Sequence, residues 1–233
     1  MAKGKHLFFY KDRIFALGDY VYSPERYGIF FEENFTLGVR ESALDLCTGS
    51  GFFPILMAEK AERVIGIDIN PFNVNAAKTN VLLNGVDNVE IRQGDLFEAV
   101  SPSEKFDLIV AWPPEFPTPP EKQRKDWSGI ATEAGIDGRK IIDHVILNAS
   151  KFLNQNGRLQ ILHAWYANIP KSLAMLNELG FDARITAEQY FSVGQISYER
   201  ADHLKNIGFP LIERDDELVQ YHAVVTAWWR QET

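Results

Sequence analysis

The chain has a single cysteine, Cys47, in 233 residues, which excludes a disulfide framework and a cysteine-rich metal cluster. Its five histidines (His6, His144, His163, His203 and His222) show no metal-ligand spacing, so no metal is expected. No apolar run is long enough to span a membrane, and the first fifteen residues are broken by charges, unlike a secretory leader. A cytoplasmic protein is therefore expected. Positive charge is also scarce: 24 Lys and Arg against 32 Asp and Glu give a formal net charge of −8, which disfavours duplex nucleic acid as a partner. The densest basic cluster, Lys122, Arg124 and Lys125, is flanked by Glu121 and Asp126 and reads as a solvated face or as an anion site. Internal repeats and low-complexity tracts are lacking.

What is present is an alternation of apolar strands and helical segments, which specifies a parallel sheet with helices on both faces. Strands are expected near residues 43–47, 63–68, 88–91, 106–111 and 158–163, and helices near 53–61, 71–83, 139–152 and 170–179. Further strands at 181–186 and 220–229 frame a connection long enough to hold a helix near 197–206. At 233 residues and 45% hydrophobic, the chain reads as one domain. Three parts lie outside the sheet: residues 1–40 as a covering segment, a proline-rich loop at 112–138 and an insertion at 187–218.

The most informative run is Asp45-Leu46-Cys47-Thr48-Gly49-Ser50-Gly51. A strand delivers an acid, and two glycines then admit a left-handed turn into a helix whose first N–H groups are unpaired. A dinucleotide fingerprint needs a third glycine, but Pro54 stands there, and Asp45 would repel a pyrophosphate. An ammonium and a sulfonium would be attracted instead, as in S-adenosylmethionine. A second acid, Asp68, closes the next strand, where ribose hydroxyls are bound in folds of this kind. A third, Asp95, follows the strand after that and suits the exocyclic amine of adenine. Each acid alone would be a helix cap or a solvated loop residue. Cys47 needs only to be small and apolar, although a reactive thiol is the alternative.

Asp45 to Gly51, Gly66-Ile67-Asp68-Ile69-Asn70 and Gly94-Asp95-Leu96-Phe97 together resemble the motifs of class I methyltransferases, and more narrowly those of the HemK/PrmC type that methylates protein glutamine. The resemblance runs from about Tyr22 to His163. It implies a Rossmann-like α/β fold with a mostly parallel seven-stranded sheet and an antiparallel last strand. It also implies S-adenosylmethionine as cofactor, bound through Tyr22, Asp45, Cys47, Thr48, Gly49, Gly51, Asp68, Ile69, Asn70, Asp95, Leu96 and Trp112. Tyr22 enters through Asp19-Tyr20-Val21-Tyr22-Ser23-Pro24, which resembles a stretch lying over the cofactor in a smaller branch of the family.

After Phe106-Asp107-Leu108-Ile109-Val110, the family carries Asn-Pro-Pro-Tyr; this chain has Trp112-Pro113-Pro114-Glu115. The family asparagine accepts from the nitrogen to be methylated, whereas Trp has only an N–H donor. Trp112 reads either as a wall of the pocket or as a cation–π face. Glu115 reads as a general base or as a solvent-facing residue, and His163 as a base at a strand end or as a packed core histidine. Trp112, Glu115 and His163 are the catalytic candidates. Five prolines between Pro113 and Pro120 suggest a lid that closes over the substrate. There is no room before Ala43 for the helical domain of the larger branch, so a small molecule is the expected methyl acceptor. A protein glutamine, a nucleobase, a binding protein without turnover and a dehydrogenase are the alternatives.

Overall fold

In a computed structural model that describes residues 6–230, the order of elements follows the sequence pattern closely through the middle of the chain. A hairpin of β1 (His6–Tyr10) and β2 (Arg13–Leu17) leads into α1 (Tyr27–Asn34). The alternating core follows: β3 (Ser42–Leu46), α2 (Phe52–Met57), β4 (Arg63–Asp68), α3 (Pro71–Leu83), β5 (Val89–Gln93) and β6 (Phe106–Ala111). The rest comprises α4 (Trp127–Ile130), α5 (Lys140–Asn148), β7 (Leu153–Ala164), α6 (Ile169–Glu178), β8 (Phe181–Ser192), α7 (Gln195–Glu199), α8 (Ala201–Asn206), β9 (Ile212–Arg214) and β10 (Glu217–Trp229).

Seven strands run in the order β5-β4-β3-β6-β7-β10-β8, and the short β9 pairs with β10 as an eighth. β3 to β7 are mutually parallel, while β10 runs antiparallel to both β7 and β8. The fold is thus the Rossmann-like α/β sheet with an antiparallel last strand.

Side chains alternate between the two faces of a strand, so each central strand feeds two cores. Leu44, Leu46, Ile65, Ile67, Ile109 and Ala111 pack against Ile142, Val145 and Ile146 of α5 and Leu176 of α6. Their neighbours Ala43, Val64, Leu108 and Val110 face the other way, against Phe30 and Phe31 of α1 and Phe52 and Ile55 of α2. Truncating a fully buried Ile or Leu in either layer would cost about 2–5 kcal/mol.

Three differences from the sequence reading bear on the site. The strand expected at 181–186 runs on to Ser192, so the insertion begins later, and its single expected helix is two short ones, α7 and α8. The covering segment contains a hairpin that the sequence did not reveal. Its second strand, β2, is held by side chains on α3. The Asn80 amide accepts from the Ala16 N–H at 2.7 Å and donates to its carbonyl at 3.2 Å, while the Asn84 amide does the same at Ile14 at 3.0 and 2.7 Å. Residues i and i+4 of a helix match the two-residue repeat of a strand, so two asparagines stand in for a neighbouring strand. Asn80 also donates to the Ser50 carbonyl at 2.9 Å, which ties the hairpin to the glycine turn.

Candidate active site

The acid–glycine turn after β3 is left-handed three times in five residues: Cys47 has φ 63°, Gly49 56° and Gly51 77°. Glycine is needed at 51 for a second reason, since a Cβ there would lie 3.1 Å from the Ala77 Cβ on α3. The turn is fastened from the next strand. The Thr48 N–H donates to the Ile67 carbonyl at 2.9 Å and the Gly49 N–H to Asp68 Oδ2 at 2.8 Å. Asp68 Oδ1 accepts from the Asn70 N–H at 2.9 Å, and Oδ2 also accepts from Asn73 Nδ2 at 3.1 Å. Burial raises the Asp68 carboxyl above its ordinary range, partly offset by these donors. Asp68 therefore organises the turn as well as facing the site.

These residues border a cavity of about 830 Å3 beyond the carboxyl ends of the parallel strands, where open α/β sheets bind ligands. Cys47, Thr48, Gly49, Asp68, Ile69, Asn70, Asp95 and Leu96 line one side of it. Asn70 Nδ2 and Asn73 Oδ1 are buried there without a hydrogen-bond partner, as a polar ligand or water would require. The residues present fit a polar, non-phosphate cofactor.

The other side is aromatic. Tyr22 meets Trp112 edge-on at 5.3 Å between ring centroids, and Tyr27 lies 6.3 Å from Trp112 and 4.6 Å from His222. Tyr166, Phe116, Ser197 and Gln220 complete this wall. Burial pushes the Tyr22 hydroxyl up to about 12 and the His222 imidazole down to about 3, so both are neutral at ordinary pH. Glu115 is 4% exposed, and its Oε2 accepts from the Ala164 N–H at 2.9 Å. Its Oε1 takes no hydrogen bond from the described residues.

Eleven of the residues singled out from the sequence thus border one cavity: Tyr22, Cys47, Thr48, Gly49, Asp68, Ile69, Asn70, Asp95, Leu96, Trp112 and Glu115. Three do not. Gly51 caps α2 behind the turn. Asp45 is fully buried beneath it, and that burial pushes its carboxyl well above the usual range; the Thr48 hydroxyl beside it opposes the shift and Asp68 adds to it. His163 is also fully buried, with Nδ1 3.0 Å from the Ala164 carbonyl and 3.3 Å from Glu115 Oε2, and Nε2 2.8 Å from the Ser172 hydroxyl. It is the packed histidine of the two readings, and it touches the site only through Glu115. Arg124 of the basic cluster is paired with Glu133 at 2.8 Å. The proline-rich loop is already folded: the Phe116 N–H donates to the Thr132 carbonyl, the Ala134 N–H to the Phe116 carbonyl and the Thr118 N–H to the Gly135 carbonyl.

Sequence reasoning missed Tyr27, Tyr166, Ser197, Gln220 and His222. Each comes from a segment with no motif of its own, and only the sheet order brings them together.

A family model described as a methyltransferase domain matches residues 38–192. The chain belongs to the class I methyltransferases. A Methanocaldococcus jannaschii protein, provisionally named a protein N5-glutamine methyltransferase, is 34% identical over 72% of this chain and 84% of its own length. The release factor glutamine methyltransferase of Aliivibrio fischeri is 34% identical over 54% of this chain, which spans only 46% of that relative. Among solved structures, the E. cuniculi Mtq2–Trm112 complex, responsible for methylation of the translation termination factor eRF1, superposes with a TM-score of 0.61 at 17% identity. That match covers 90% of this chain and 99% of the other and shows the shared fold.

These relatives overturn the expectation of a small-molecule acceptor, since the two curated ones are named for glutamine in protein and the eRF1 complex for a protein substrate. The small-molecule expectation had leaned on Trp112, which offers an amide N–H no acceptor. The Glu115 carboxylate, three residues on, lines the same cavity. No helix among the described residues is long and apolar enough to cross a membrane.

Proposed function

We infer that this methyltransferase transfers the methyl group of S-adenosylmethionine to the side-chain amide nitrogen of a glutamine in a protein substrate. The observation that carries this reading is Glu115. Its carboxylate is buried at the proline turn and anchored through Oε2, with Oε1 left to accept from a substrate N–H. The names of the relatives support the same acceptor.

The cofactor would supply an electrophilic methyl on a sulfonium, and the chain's own groups would place it. Gly49 leaves open space where a side chain would stand, so backbone can approach the ligand closely. Asn70 and Asn73 offer unpartnered polar atoms, Asp68 faces the ribose position, and Asp95 lies where it can accept from adenine. Asp45 sits fully buried below the turn and supports it from behind rather than contacting the ligand. An amide nitrogen is a weak nucleophile, so orientation carries much of the rate. As the new N–C bond forms, the C–S bond breaks and one N–H proton is lost; Glu115 is the carboxylate placed to take it. Trp112 and Tyr22 wall off the transfer path from water.

The test is incubation with tritiated S-adenosylmethionine and a cell extract split into protein and small-molecule fractions. Label in the protein fraction, lost when Glu115→Gln replaces the wild type, is expected. Label confined to the small-molecule fraction would reject the reading.

A further inference from the structure

The acceptor side of the cavity contains a hydrogen-bond chain that belongs to none of the cofactor motifs. Ser197 on α7 and Gln220 on β10 are 1% and 5% exposed. The Ser197 hydroxyl donates to Gln220 Oε1 at 2.9 Å, and Gln220 Nε2 donates to the Tyr27 hydroxyl oxygen. That last bond fixes the direction of the Tyr27 proton. An oxygen that already accepts from an amide N–H has its own hydrogen left to give elsewhere. Tyr27 lines the cavity, and its ring is clamped edge-on by Phe191 at 4.7 Å between centroids and packed on His222. Burial raises its hydroxyl above the ordinary range, so the proton stays in place at neutral pH.

The two polar groups offered to an acceptor are therefore opposite in kind. Tyr27 gives a hydrogen bond, and Glu115 can only take one while ionised. A primary amide satisfies both, through its carbonyl oxygen and its N–H. A carboxylate would face Glu115 with like charge and a neutral His222, while Arg26, stacked over the Tyr27 ring 5.6 Å from its centroid, donates to the Ser192 carbonyl at 3.3 Å instead. An ammonium has no lone pair with which to accept from Tyr27.

We propose that Tyr27 is a recognition residue that donates to the amide oxygen of the substrate glutamine, and that Gln220 and Ser197 are positioning residues that aim its proton. This rests on the glutamine reading above. It goes further by naming the groups that would separate glutamine from glutamate.

The probes are N-acetylglutamine methylamide and its glutamate counterpart, each titrated by ligand-observed NMR in the presence of S-adenosylhomocysteine. Wild type is expected to bind the glutamine probe and not the glutamate probe. Tyr27→Phe removes the donor and should weaken the glutamine probe about tenfold, a loss typical of one unpaired buried polar contact. Gln220→Glu is the discriminating variant. A carboxylate there accepts from both Ser197 and Tyr27, so the packing persists but the Tyr27 proton turns away from the cavity. It should cost as much as Tyr27→Phe, whereas a merely structural role would leave binding intact. Unchanged S-adenosylhomocysteine affinity in each variant shows that the fold is retained, and a variant that loses it is replaced by the other as the test. Wild-type affinity for the glutamine probe in a folded variant overturns the proposal alone. Failure of wild type to bind the glutamine probe overturns the glutamine reading, and the proposal with it.

Discussion

The two sides of the cavity are built on different principles. The cofactor side comes from three short motifs, each placed at the carboxyl end of a parallel strand, and its shape is set by local backbone: three left-handed residues in five and one aspartate that ties the turn together. The acceptor side draws on α1, the loop after β6, the turn after β7, α7 and β10, which lie far apart in sequence. Its shape comes from aromatic packing and from side-chain hydrogen bonds across these elements. A site assembled locally tolerates little change in its backbone, while one assembled by packing can be retuned residue by residue. This division lets one fold keep its cofactor and change its acceptor.

Breaking the local side should have the largest effect. Gly51→Val forces a branched side chain into φ 77° and against Ala77, so it should cost roughly 3 kcal/mol of stability and more than about a hundredfold in cofactor affinity. Calorimetric titration with S-adenosylhomocysteine reads this, and an unchanged affinity would deny that the left-handed turn shapes the site.

On the acceptor side, Glu115→Gln should lower kcat about a hundredfold, as expected for a lost general base, and leave cofactor affinity within about twofold. Trp112→Ala should raise the acceptor KM about tenfold by removing the ring that packs on Tyr22 and Tyr27. Equal losses in cofactor and acceptor binding would mean that the two sides are not separable.

The smallest effect concerns Asp45. Its folded-state pKa is raised by burial, so its favourable contribution is present below the unfolded pKa and fades as pH rises through the folded value. At pH 8, where an unfolded aspartate is fully ionised, keeping this carboxyl buried costs stability, and Asp45→Asn should stabilise the free protein by about 1 kcal/mol. The gain should shrink as pH falls toward 4, in thermal melts recorded across that range.

The same division governs what the sequence disclosed. β3 to β7 and α2, α3 and α5 were legible because apolar runs, Pro71 at a helix start and the glycines of the turn act locally. Asp68 was legible as a site residue, but its second task, accepting from Gly49, Asn70 and Asn73, depends on the register of β3 against β4. The β1–β2 hairpin was hidden because its anchors, Asn80 and Asn84, look like ordinary polar positions on a helix. Tyr27, Ser197 and Gln220 were hidden for a further reason: their hydrogen bonds join three elements that only the strand order β7-β10-β8 makes neighbours. The acceptor was misjudged because Trp112 was given more weight than Glu115, the carboxylate three residues on that lines the same cavity.

The most direct measurement is mass spectrometry of the labelled amino acid. Protein methylated with trideuteromethyl S-adenosylmethionine is digested to peptides and then hydrolysed in acid. The account predicts a mass increase localised to glutamine, with the label released by hydrolysis as deuterated methylamine. Label that survives hydrolysis on another residue, or that never enters protein, would contradict it.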